Sequence, residues 1–225
     1  MLQAALRLEG RIGILSEAIV LTVGTLLPIM NPFSTLPLFL SLTVGLDHEN
    51  RNRIARKACL YAFGLLVLFL LLGTAIIDFF GISVPGIRIS GGLIMTANGV
   101  RMLFPSAPSG ASQGSPLREL EIAFTPLAMP SLAGPGSISV VVTAASQIQT
   151  NYPQGFIFVY TGVIIGLAIT VLIAWLILRT ANPLARVLGP SGIDAMTRIF
   201  GFLLIAIGVQ FLLTGVSAFF RLSHA

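Results

Sequence analysis

The stretch Leu27-Pro28-Ile29-Met30-Asn31-Pro32-Phe33-Ser34-Thr35-Leu36-Pro37 lies within a run, Ala18 to Leu46, that carries no charged residue. Such a run is long enough to cross a bilayer, which takes about 20 apolar residues. Each proline lacks an N–H and clashes with the carbonyl four residues back, so three within ten residues predict a helix broken in its middle. Carbonyls freed by the break cannot face lipid, where each would cost several kcal/mol. They must face protein or a polar cavity. A half-helix that restarts after the break also turns its N–H groups, and roughly half a positive charge, toward that cavity.

The same pattern recurs. A shift of 98 residues lays Pro28, Pro32, Pro37 and Ser41 on Pro126, Pro130, Pro135 and Ser139. A shift of 109 lays Gly92, Ala97, Gly99, Val100 and Leu103 on Gly201, Ala206, Gly208, Val209 and Leu212. The two matches occur in the same order, one in each half of the chain. Further apolar segments lie at Leu60–Ile77, Ile89–Leu103, Ile122–Ile148, Phe156–Leu178 and Ile199–Phe220. The expected fold is therefore an all-α membrane protein of six transmembrane helices. A three-span repeat has an odd count, so its second copy enters from the opposite side. The result is two inverted three-helix repeats, the architecture of many secondary transporters, with Pro/Gly-broken helices 1 and 4.

Composition agrees. Of 225 residues, 55% are hydrophobic and 9% charged, and mean hydropathy is +0.95. A soluble domain carries roughly 25% charged residues, so a water-soluble globule is excluded. The sequence pI near 10.4 reflects a net charge of only +5, in short clusters between apolar segments, which signals topology rather than nucleic acid. Residues 1–17, with Arg7, Glu9, Arg11 and Glu17 among leucines, suit an interfacial amphipathic segment and lack a signal-peptide pattern. The first repeat is taken as 18–104, a cytoplasmic Pro/Ser/Gly/Ala-rich linker as 105–120, and the second repeat as 121–225.

Nine Lys and Arg (Arg51, Arg53, Arg56, Lys57, Arg101, Arg118, Arg179, Arg186, Arg198) fall in loops one, three and five. Four (Arg7, Arg11, Arg88, Arg221) fall on the other side. The positive-inside rule then places both termini outside the cytoplasm of a cell inner membrane.

Candidate substrate-binding residues are Asn31, Pro32, Ser34 and Thr35 at the first break, and Ser131, Gly134, Gly136 and Ser137 at the second. They supply short donors, acceptors and close backbone approach. Kinks that merely improve packing are the plainer alternative. Asn98, inside the third span, serves either the cavity or an interhelical hydrogen bond. Asp78 and Arg88 flank the second loop, as a paired gate or as simple interfacial residues. Gly92-x6-Gly99 and Gly201-x6-Gly208 form packing faces. Asn182-Pro183 marks a turn. Cys59, the sole cysteine, and the distant His48 and His224 offer no disulfide or metal set. No nucleophile–base pair or phosphate loop points to an enzyme. No cofactor is implied, and H⁺ and Na⁺ both stay open as coupling ion.

Asn31 to Pro37, Gly81-Ile82-Ser83-Val84-Pro85-Gly86-Ile87-Arg88-Ile89-Ser90-Gly91-Gly92, and Pro126-Leu127-Ala128-Met129-Pro130-Ser131-Leu132-Ala133-Gly134-Pro135-Gly136 together resemble the MarC family of membrane proteins, over roughly Ala18 to Phe220. The resemblance implies six spans in two inverted halves. It also implies a relation to SnatA, the family's characterised small neutral amino acid transporter, which handles glycine and alanine. The family's Asn-Pro is present as Asn31-Pro32, whereas the second half has Met129-Pro130, so the half-sites are chemically unequal. A zwitterionic solute would seat its carboxylate on a helix N-terminus and its ammonium on unwound carbonyls and the Asn31 oxygen. Leu132 to Gly136 would take a small side chain. The expected partners are thus a small-molecule substrate and the lipid bilayer, with homo-oligomerisation open and no nucleic acid. Export of another small metabolite, and a non-transporting membrane scaffold or assembly role, are the alternatives.

Overall fold

A computed structural model describes residues 2–104, 123–151 and 156–223. The expected linker, Pro105 to Leu120 with Arg118, lies outside the described residues, as does His224. The described chain is entirely helical: α1 (Leu2–Met30), α2 (Pro32–Leu42), α3 (His48–Phe80), α4 (Val84–Leu103), a π-helical α5 (Ala123–Leu132), α6 (Pro135–Asn151), α7 (Phe156–Arg179) and α8 (Ala181–Ser223).

Among the described residues, four stretches are long and apolar enough to cross a membrane: Gly13–Leu40, His48–Phe80, Phe156–Arg179 and Ala181–Phe220. This is two fewer than the six expected. The shortfall has a physical origin in each case. Helix α4 dilutes its apolar residues with Arg88, Asn98, Arg101 and several glycines, and α5 and α6 are each too short on their own.

Several expected boundaries shift. Residues 2–17 are not a separate element, because α1 runs on from Leu2 without interruption. Helix α3 begins at His48, so Arg51 to Lys57 occupy its first turns rather than a loop. The Nη2 of Arg51 donates to Thr43 O at 3.0 Å and Leu46 O at 3.4 Å, which caps carbonyls at the end of α2. Ser83 caps α4 by accepting from Gly86 N at 3.2 Å, with Pro85 in the first turn, so Arg88 sits inside the helix and not in the preceding loop. The turn expected at Asn182-Pro183 falls two positions earlier, at Thr180, and Pro183 sits in the first turn of α8, where a missing N–H costs nothing. The real bend in α8 is at Gly189, φ 63°, just before Pro190.

The core joins α1, α2, α3, α5, α6 and α7, with Leu26, Met30, Leu36, Phe39, Leu66, Leu70, Leu127 and Leu167 fully buried. Two glycine-lined crossings bring helices close. Gly162 meets Leu15 and Ala18, and Gly166 meets Ile19 and Thr22, so α7 runs parallel to α1. Gly92 meets Gly208 and Gly99 meets Gly201, so α8 runs antiparallel to α4. A Cβ on Gly92 would stand 2.6 Å from the Gly208 carbonyl oxygen, and one on Gly99 2.6 Å from that of Gly201. These glycines permit a backbone-to-backbone approach that a side chain would prevent.

Candidate functional site

The first break is a single residue. Pro32 drives its predecessor out of the right-handed helical region, and Asn31 adopts φ 37°, ψ 69°, the sole positive φ of a non-glycine among the described residues. Asparagine tolerates that conformation better than most residues because its short amide bonds locally. Here Asn31 Oδ1 accepts from Ser34 N at 3.2 Å, and Asn31 O accepts from Ser34 Oγ at 3.0 Å and Thr35 Oγ1 at 3.4 Å. Asn31 Nδ2 donates to Met102 Sδ at 3.4 Å, tying the break to α4. Pro28 stays within α1, which still closes with Asn31 N donating to Leu27 O at 3.1 Å, and Pro37 stays within α2. The expected disruption over ten residues is thus confined to one.

The second break lies one turn later than the 98-residue register places it. Instead of breaking at Met129-Pro130, the chain widens into π-helix, ending with Ala133 N donating to Ala128 O at 2.8 Å. Widening to i→i+5 bonds is one way a helix absorbs prolines that cannot donate and would otherwise clash. The break comes at Ala133-Gly134, and Pro135 starts α6. Ser137 Oγ donates to Leu132 O at 3.3 Å, and Ser139 Oγ bonds Ile87 O at 2.8 Å, linking α6 to α4.

Helix α4 joins the two breaks. A Cβ on Gly136 would lie 3.0 Å from Met95 Cγ and 3.4 Å from Ile29 Cγ2, while Met102 receives the Asn31 amide. Met95 and Met102 are seven positions apart, hence on one face and about 10 Å apart along the axis. Asn31, Pro32, Thr35, Gly136 and Ser137 are buried, and Ser34, Ser131 and Gly134 half-buried. Within the stretch Leu132 to Gly136, expected as a side-chain pocket, Gly136 faces Met95 and Ile29. Similarly, the Asn31 oxygen expected to receive an ammonium is engaged in capping α2.

The remaining candidates stand apart. Asn98 is exposed on α4. Asp78, exposed, and Arg88 make no ion pair with each other among the described residues. Arg88 instead borders an open groove of about 450 Å³ with Gln210, Thr214 and Ser217 of α8. The Arg198–Asp194 pair closes at 3.4 Å, an ordinary i, i+4 surface contact. Cys59 is buried on α3, and Arg179 lies over Trp175, 5.0 Å from the ring centroid.

A cavity of about 430 Å³ opens between α1, α6 and α7, lined by Glu17, Thr22, Thr25, Thr143 and Gln147 among apolar side chains. None of the candidate binding residues lines it, and Glu17, read from the sequence only as part of an interfacial segment, does. Of its lining residues, Leu26 lies five residues from Asn31 and Val140 five from Pro135. Signals were present in the spacing of Thr143 and Gln147 (i, i+4) and of Thr22 and Thr25 (i, i+3), each pair on one helical face. Neither sits in a proline motif.

The description "MarC family integral membrane protein" fits residues 16–220. The chain belongs to the MarC family. Inner membrane protein MarC of Citrobacter koseri is 38% identical over 220 residues, covering 93% of this chain and 99% of the relative. The MarC proteins of Salmonella typhimurium and Escherichia coli O157:H7 are 39% and 37% identical over the same coverage. No solved structure matches the chain significantly. As a MarC protein it is a multi-pass integral protein of the inner membrane, in keeping with its long apolar helices.

Proposed function

We propose that this MarC protein is a secondary transporter for small neutral amino acids such as glycine and alanine, working by alternating access of two inverted halves. In this reading the halves are α1–α4 and α5–α8, and six membrane crossings are completed by α4 and by α5 and α6 together. Both termini face away from the cytoplasm.

The observation that carries the reading is the α4–α8 crossing. Adding 109 to Gly92 and Gly99 gives Gly201 and Gly208, and the contacts are Gly92 with Gly208 and Gly99 with Gly201. Exchanging the halves therefore turns each contact into the other, as a two-fold axis through this crossing would. The principal packing partners behave alike: α1 on α7 exchanges with α5 on α3, α2 on α7 with α6 on α3, and α4 on α6 with α8 on α2. Pairs α3 with α7 and α4 with α8 map onto themselves. Parallel α1/α7 and antiparallel α4/α8 agree with the alternating senses of six crossings.

Two breaks held against one face of α4, beside a largely apolar cavity with a polar strip, fit the midplane arrangement of such carriers. The restarted α2 and α6 would favour a carboxylate through their N-terminal dipoles. One observation favours a scaffold instead, since the Asn31 polar atoms already have partners inside the protein. Uptake of labelled glycine and alanine into proteoliposomes, with and without imposed proton and sodium gradients, separates the readings. Saturable uptake driven by one gradient supports the carrier and identifies its ion. Absence of uptake of either amino acid by folded protein shifts the weight to another small metabolite or to the scaffold.

A further inference from the structure

We infer that the cavity between α1, α6 and α7 is a binding vestibule for small solutes bearing an ammonium group, with Glu17 as counter-charge and the Thr143 hydroxyl as a polar contact within it. Among the described residues its walls are one-sided in charge: Glu17 is the sole ionisable side chain lining it, with no lysine, arginine or histidine. Glu17 is exposed near the start of the apolar span Gly13–Leu40, where its carboxylate stays hydrated and open to an approaching cation.

The polar lining continues inward from Glu17. Thr22 Oγ1 already donates to Ala18 O at 2.7 Å, which leaves its lone pairs as acceptors. The Thr143 side chain is 4% exposed, and its Oγ1 is buried without a hydrogen-bond partner. An unpaired buried hydroxyl is destabilising, and a ligand that bonds it removes that penalty. Thr25 and the Gln147 carbonyl add further acceptors. An ammonium group donates three hydrogen bonds and carries one positive charge, which matches acceptors arranged beside one carboxylate. Leu21, Leu26, Val140, Val159 and Phe211 supply apolar surface for the rest of a small solute. A volume of about 430 Å³ lies within the usual range of small-molecule sites.

Placement adds direction. Glu17 and Leu26 are nine residues apart on α1, about 14 Å along the helix axis, with Leu26 leading toward the break at Asn31. The vestibule thus runs from a carboxylate near one end of the span toward the broken helices. It does not depend on which amino acid, if any, the protein carries.

The test uses thiol labelling of full-length protein in liposomes. In a Cys59→Ala background, Thr25→Cys places one thiol within the cavity. It is reacted with 2-aminoethyl methanethiosulfonate, which carries an ammonium, or with the 2-sulfonatoethyl reagent, an anion. The ratio of their rates is compared with and without Glu17→Gln. Removing one nearby charge should lower the ratio roughly five- to tenfold. Methylammonium should slow labelling, whereas acetate and Na⁺ should not, and Thr143→Val should weaken that protection. A ratio unchanged by Glu17→Gln overturns the inference, as does protection by Na⁺ alone. No labelling in protein that elutes as a single folded species also overturns it, because the cavity would then be closed. Amino acid uptake plays no part in these readouts, so failure here and failure of the carrier reading are separable.

Discussion

Asn31 Nδ2 donates to Met102 Sδ across 3.4 Å, linking residues 71 positions apart. The same side chain caps α2 through its oxygen and holds a left-handed backbone. One residue thereby ends α1, starts α2 and attaches the break to α4.

Those three roles can be taken apart by substitution. Asn31→Gly keeps the backbone freedom and loses the cap and the Met102 bond. Asn31→Ala loses those and adds the cost of a left-handed alanine, about 1–2 kcal/mol, to a cap loss of about 0.5–2 kcal/mol. Thermal unfolding in detergent should rank wild type above Asn31→Gly, and Asn31→Gly above Asn31→Ala. Equal losses for both would mean that backbone conformation contributes nothing at this position.

At the α4–α8 crossing, Gly92→Ala would place a Cβ against the backbone of Gly208 and Leu212, which cannot yield as a side-chain tip can. A loss of about 1–3 kcal/mol is expected. Gly24→Ala, with nothing within 4 Å, should be neutral or stabilising through helix propensity. Melting temperatures of the two variants, measured side by side, check the contrast.

Arg51 closes the α2–α3 connection through the carbonyls of Thr43 and Leu46. Arg51→Met should cost about 1–3 kcal/mol as hydrogen bonds to a charged donor are lost. Limited proteolysis should then cut between residues 43 and 47 faster than in wild type. An unchanged cleavage rate would show that the positive cluster serves topology alone.

Thr143→Val separates a ligand contact from a structural one. Replacing an unpartnered buried hydroxyl by a methyl of like shape should leave thermal stability equal or higher. Transport should fall nonetheless. A variant that unfolds would instead assign Thr143 to the core.

The Asn31-Pro32 break was legible because both residues act locally: proline restricts its predecessor, and asparagine accepts the conformation forced on it. Pro28 and Pro37 were not legible in the same way. A proline removes one donor, and whether the helix continues depends on how its buried face packs, here through Leu26 and Met30 of α1 and Leu36 and Phe39 of α2. The second break moved because the chain had another option, a π-helical widening followed by the more permissive Gly134. The glycine faces of α4 and α8 were visible as heptad spacing, and their antiparallel pairing gave that spacing a geometric meaning. Thr143 went unnoticed, and Glu17 was read only as interfacial, because a cavity between helices is made by tertiary packing: α1 contributes Glu17, Thr22 and Thr25, α6 contributes Thr143 and Gln147, and no one helix shows the site.

Counterflow in proteoliposomes tests the central claim most directly. Vesicles preloaded with unlabelled glycine are diluted into labelled alanine, with no ion gradient imposed. A carrier that exposes one site to each side in turn gives a transient accumulation of label that saturates, is competed by external glycine, and falls in Thr143→Val. Label that stays at the level of protein-free vesicles, with wild-type protein folded, would contradict amino acid transport by this chain.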